Sequence, residues 1–313
     1  MGPLTPGFPL AGMVGLLLPV LIGLALLITA VVAVARKKHT WINEAAHPGL
    51  GRLQWSAIQA RVIGLVAAVA VAPLMAMVGR YGWGVFLAPS VSAVVLLAAV
   101  SVVTVSYYAA ARKVGQASLE VRKLGDYVPK RGLRWLLVAT VGLLLTGLTT
   151  GMLASPDPQG RSKELHFQCL TIEWTDGQAG STARWDDGAL SRFPGWYYLS
   201  AVLIGTLLLA AATWFALWLN AWRPRNGSDA MLVATDDAVR RQTGEGIIAT
   251  ATAGVSLTWF GVAYLAALGF GLSACSTPRG LTSWGFAAVG LGALVLAIQA
   301  LATAVVPGDG AAR

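Results

Sequence analysis

The chain has 313 residues, of which 56% are hydrophobic and only 12% charged, with a net charge of +9. A soluble globular domain carries about twice that share of charged residues. The charge is also missing from long blocks and concentrated between them, which argues against a water-soluble fold. Nucleic-acid binding is not indicated either, because Lys and Arg flank apolar blocks instead of forming a free-standing basic domain.

A membrane span needs about 20 mostly apolar residues. Seven blocks meet this in chain order: 9–35, 61–79, 84–111, 135–154, 196–221, 246–273 and 283–306. The first has no Lys or Arg before it and ends in Arg36-Lys37-Lys38, so it reads as a retained span with a stop-transfer flank and not as a cleaved leader. The second is the shortest; a six-span count would drop it as re-entrant and move the basic loop 112–134 to the other side. Pro19, Pro73 and Pro89 fall inside the first three blocks and predict kinks. Gly64, Ala68, Ala72 and Ala76 form a four-step row on one face of the second, as Ala249/Ala253 and Ala288/Gly292 do more briefly in the sixth and seventh, and such faces let helices approach closely in lipid.

Charge sets the expected orientation. With the N-terminus outside, the cytoplasmic side holds 17 Lys+Arg, counting Arg61 and Arg313, and the outside holds six: Arg80, Arg161, Lys163, Arg184, Arg192 and Arg279. Trp83, Trp135, Trp196, Trp222 and Trp284 lie at block ends, where an indole suits the headgroup level. The expected architecture is an all-α polytopic bundle of about seven spans in a cell (plasma) membrane, N-terminus out and C-terminus in. It divides into four spans over 1–154, an extracellular lobe over 155–195 and three spans over 196–313.

The outside loop opens with turn formers, Ser155 to Gly160. It continues as a predicted strand over 163–174, a turn at Thr175-Asp176-Gly177 and a short second strand near 181–185, a β-hairpin-like lobe. Both cysteines, Cys169 in this lobe and Cys275 between the sixth and seventh spans, fall on the side assigned outside from charge, which predicts a disulfide; two separate thiols are the alternative. His166 and Cys169 have no usual zinc spacing, and Glu164, Glu173, Asp176, Asp186 and Asp187 read as a solvated, charge-balanced surface.

On the cytoplasmic side, Thr235 is placed to cap a short helix in which Asp236 meets Arg240 and Asp237 meets Arg241 at i, i+4, with Gly244 ending it before the sixth span. These four residues form a candidate docking helix for a cytoplasmic partner, or an exposed charge-paired connector. Loop 112–134 carries seven Lys+Arg, and Leu119 and Leu124 suggest an amphipathic helix on an anionic inner leaflet.

No ionisable group lies deep inside a block, which speaks against proton pumps, carboxylate-coupled carriers and voltage sensors, and the seventh block has no Lys for a retinal Schiff base. No phosphate loop, zincin or hydrolase signature occurs, and no cofactor or metal set is expected. Any polar path would use Ser101, Thr104 and Ser106, or Thr250, Thr252, Ser256 and Thr258, hydroxyls that commonly bond their own helix. Asp236-Asp237-Ala238-Val239-Arg240-Arg241, with the Ala/Arg-rich loops, resembles uncharacterised multispanning membrane proteins of actinobacteria, a resemblance that implies a membrane setting and no activity. The expected function is a non-catalytic membrane subunit or permease-type component of a complex. The alternatives are a stand-alone carrier or channel for a neutral solute, or a sensor with an extracellular ligand-binding loop.

Overall fold

A computed structural model describes residues 48–78, 82–111, 125, 127–174, 181–191, 193–222, 230–272 and 277–305. The block 9–35 and most of the basic loop 112–134 lie outside the described residues. Six helices are described: α1 (Pro48–Val78), α2 (Trp83–Ala111), α3 (Lys130–Leu153), α4 (Trp196–Trp222), α5 (Ala230–Leu272) and α6 (Thr277–Val305). Between α3 and α4 lies a sheet of β1 (Ser155–Pro156), β2 (Ser162–Trp174) and β3 (Ser181–Ser191).

Five helices, α2 to α6, are long and apolar enough to cross a membrane, while the apolar part of α1 is the shorter stretch Gln59–Met75. This is the element whose sequence left the span count open. Large apolar side chains point outward along the bundle, among them Leu137 and Leu145 of α3, Leu207 and Trp214 of α4 and Leu291 of α6. A sheath of this kind suits hydrocarbon, not water. Trp196 and Trp222 are exposed at the two ends of α4, about 40 Å apart at 1.5 Å per residue, which matches a bilayer with its headgroup layers. Exposed Trp284 and Trp135 join these belts, whereas Trp83 turns inward against Tyr197, with its Nε1 buried and unbonded.

α5 is the axis of the bundle. Half of its apolar window is buried, against a third in each of the other four long helices. It packs on α2, α3, α4 and α6. Small side chains make this possible: Ala249, Ala251, Ala253, Ala263 and Ala266 are buried, and a Cβ on Gly254 would stand 2.7 Å from the Cβ of Ala93 on α2. On α3, Gly142 opens a slot for Trp259, whose Nε1 donates to Thr146 Oγ1 at 2.8 Å.

The first half of the small-residue row of α1 packs as its spacing predicts, while Ala72 is half-buried and the side chain of Ala76 lies outside the described residues. A Cβ on Gly64 would meet Leu96 and Ala99 of α2 within 3 Å, and Ala68 is buried. In α6 the packed face is instead Gly290, Ala293, Ala297, Ala300 and Ala304, and Ala288 and Gly292 are exposed. α1 runs through Pro73 and α2 through Pro89.

The lobe is more extensive than a short hairpin. β3 reaches Ser191, and β2 pairs with it antiparallel from Glu164↔Ser191 to Trp174↔Ser181. Across this ladder Phe167 lies over Gly188, filling the space a side chain there would need. Its base is fixed to the bundle by Leu165 and Phe193, which pack on Ala266 and Phe270 near the end of α5, with Phe286 of α6 stacked on Phe270.

Candidate functional site

The docking-helix residues occupy the end of the bundle far from the lobe, and they are arranged differently from their sequence pattern. No break occurs at Gly244; α5 is one 43-residue helix that continues from 230 into the apolar segment. Gly244 is a contact residue, since a Cβ there would stand 2.3 Å from the carbonyl oxygen of Tyr127. The sequence offered a helix-stop signal at this position, but close approach of a neighbouring backbone accounts equally for a glycine.

The Asp236–Arg240 pair is not a solvated connector. Both residues are essentially inaccessible, at 1% and 0% exposure. Arg240 directs Nε (2.9 Å) and Nη2 (2.7 Å) onto Asp236 Oδ2, and Nη1 onto the Ala221 carbonyl at the end of α4 (3.3 Å). Asn220 Nδ2 donates to the Arg240 carbonyl at 2.9 Å, while its Oδ1 is buried without a hydrogen bond. The Tyr127 ring lies 5.9 Å from the guanidinium carbon, and its hydroxyl donates to Asp237 Oδ1 at 3.2 Å. Thus Asp237 bonds the segment before α3, and Arg241 is exposed. The cluster ties α4, α5 and the entry to α3 together. A buried pair of this kind fixes geometry more dependably than it adds stability.

At the lobe end, Asp157 collects donors from the turn that follows it. Its Oδ1 accepts the N–H groups of Gln159 (2.9 Å) and Arg161 (2.8 Å); its Oδ2 accepts Arg161 Nε (2.8 Å) and faces Lys163 Nζ at 3.3 Å. Gly160 supplies the positive φ (77°) this turn requires. Burial would raise the Asp157 carboxyl, but the Arg161 and Lys163 donors and the Gln159 N–H outweigh it and hold the group down at about 2. Arg161 also lies over the Tyr197 ring, 5.5 Å away, which links the turn to α4. His166 and Glu164 approach to 3.5 Å. Cys169 sits opposite Asp186 in the ladder, and Cys275 lies outside the described residues, as does the proposed pairing of the two.

Most of the hydroxyls in the two rows are bonded to their own helices, and the side chain of Ser106 lies outside the described residues. Ser101 and Thr104 donate to the carbonyls of Leu97 and Val100, and Thr250, Thr252 and Thr258 to those of Gly246, Ile248 and Gly254. Ser256 is buried with its Oγ unbonded. No group of three or more metal-ligating side chains occurs among the described residues.

One residue was missed. Arg61, counted from the sequence as a flanking charge, lies thirteen residues inside α1 and is 6% exposed. Its spacing held the signal: residues 61, 64, 65 and 68 share one helical face, and Gly64, Leu65 and Ala68 are buried.

Comparison with protein-family models, curated proteins and solved structures finds no match for this chain.

Proposed function

We propose that the chain is a non-catalytic subunit, of permease type, in a larger membrane complex, and that the part of α5 beyond the bilayer is its docking element for a cytoplasmic protein. In this reading the chain crosses seven times, counting block 9–35 and α1, with the N-terminus outside, the lobe extracellular and the C-terminus in the cytoplasm. The observation that carries it is the continuity of α5 through the buried Asp236–Arg240 clamp, which makes the extension a rigid lever and not a hinged connector. Arg241 is exposed on that lever.

A stand-alone carrier draws less support, because the candidate hydroxyls are turned onto their own helices. A sensor draws on one specific feature: the lobe packs on Phe270 and the clamp on Arg240, so both ends lie on the same helix. The disulfide between Cys169 and Cys275 belongs to the proposal as a tie between lobe and bundle. Two free thiols found by non-reducing alkylation and mass spectrometry would remove it.

The test of the main reading is extraction from the native membrane in mild detergent, followed by mass spectrometry of what co-purifies. A stoichiometric cytoplasmic or membrane partner is expected, reduced in Arg241→Glu while the protein itself stays in the membrane. A lone protein would reject the subunit reading.

A further inference from the structure

We propose that the crevice in front of Arg61 binds a phosphate oxygen of an anionic phospholipid headgroup. The crevice is formed where four helices meet: Arg61 from α1, Leu97 and Val100 from α2, Thr243 and Ile247 from α5, and Val305 from α6. Arg61 is buried there and makes no hydrogen bond or ion pair with any described residue. Glu245 acts on it only through space. A guanidinium has five donors and stays charged, so burying one without an acceptor is costly. Arg61 therefore has no bonded acceptor among the described residues. Thr243 and Thr250, which also line the crevice, donate their hydroxyl protons to the carbonyls of Val239 and Gly246.

The size of the space selects the form of the anion. It is ≈ 10 Å³, room for one water-sized atom. A whole hydrated phosphate does not fit, but one oxygen of a phosphate anchored outside does. The depth selects the source. From Phe286, at the base of the lobe, to Val305 is 19 residues of α6, about 28 Å and close to the hydrocarbon thickness. Arg61 thus lies at the headgroup level on the far side. Basic pockets between spans at this level suit anionic headgroups.

The inference rests on the membrane reading above, which carbonate-resistant membrane association tests separately. The purified protein is placed in uncharged micelles and titrated with phosphatidylglycerol or with phosphatidylcholine, reading lipid adducts by native mass spectrometry and the unfolding midpoint by temperature. One phosphatidylglycerol per chain is expected to be retained preferentially, with a raised midpoint. Arg61→Gln should bind it about tenfold more weakly, the loss of one charge-assisted contact. Gly246→Ala supplies a variant that keeps the charge: its Cβ would stand 3.2 Å from Arg61 Nη2, displacing the flexible guanidinium and weakening retention without unfolding the bundle. Unchanged phosphatidylglycerol binding in both variants, or equal retention of phosphatidylcholine, would overturn the site. If sodium phosphate alone, against chloride at equal ionic strength, reproduces the shift, the ligand is a soluble anion and the lipid assignment falls.

Discussion

Asp157 with Arg161 and Asp236 with Arg240 are the same pair by sequence: aspartate, then arginine four residues on, closing to 2.8 Å and 2.7 Å. Their physics differs. Arg161 keeps about a quarter of its side chain exposed, and Asp157 is held partly by backbone N–H groups that no side-chain substitution removes. Arg240 is closed off completely, and it directs two charged donors onto Asp236 Oδ2. An i, i+4 pair thus reports its own geometry, and the surroundings decide what it is worth. In a turn at the lobe it organises a loop. Inside the protein at the far end it joins three segments and tolerates no loss of a partner.

The largest predicted effect follows from that difference. Arg240→Ala takes the guanidinium away from the buried Asp236 carboxylate and should destabilise by about 3–5 kcal/mol in detergent unfolding, whereas a double replacement by apolar residues of similar volume should recover most of the loss. Arg161→Gln, with the backbone donors intact, should cost visibly less; equal losses at the two sites would break the comparison.

The glycine beside the clamp gives the next effect. Gly244→Ala forces a Cβ against the Tyr127 carbonyl and should cost about 1–3 kcal/mol. Gly261→Ala on the same helix meets open space and should stabilise, by up to about 1 kcal/mol. If Gly244 were a helix stop, alanine there would lengthen the helix at little cost, so the two thermal midpoints separate the explanations.

The smallest effect is a pH dependence confined to the lobe. The folded carboxyl of Asp157 lies below its ordinary value of 3.8, at about 2. Its contribution is therefore complete above about pH 4 and is lost as pH falls through 2. Hydrogen exchange of the β1–β2 amides should show this loss, and Asp157→Asn should remove the pH step. Loss of protection near neutral pH would point to a different group.

Much of the bundle could be read directly. Blocks two to seven correspond to α1–α6 because twenty apolar residues in succession have few alternatives. The row from Gly64 to Ala68 packs because small side chains in lipid are useful chiefly for close approach. The reading of a separate short helix from Thr235, ended by Gly244, failed for a definite reason. A glycine among polar residues looks the same whether it ends a helix or lets another backbone pass.

The sequence by itself determined that several helices are long and apolar enough to cross a membrane, the order of the helices, the antiparallel hairpin and most of the self-bonded hydroxyls. All of these depend on composition, or on neighbours within a few positions along the chain. Only the tertiary structure decided that α5 is unbroken, that Arg240 is sealed in while Arg161 is not, and that Arg61 lines a crevice with no bonded acceptor among the described residues. Each of those depends on atoms that lie many residues away, and burial sets the cost of a charge through what surrounds it, not through what precedes it in the chain.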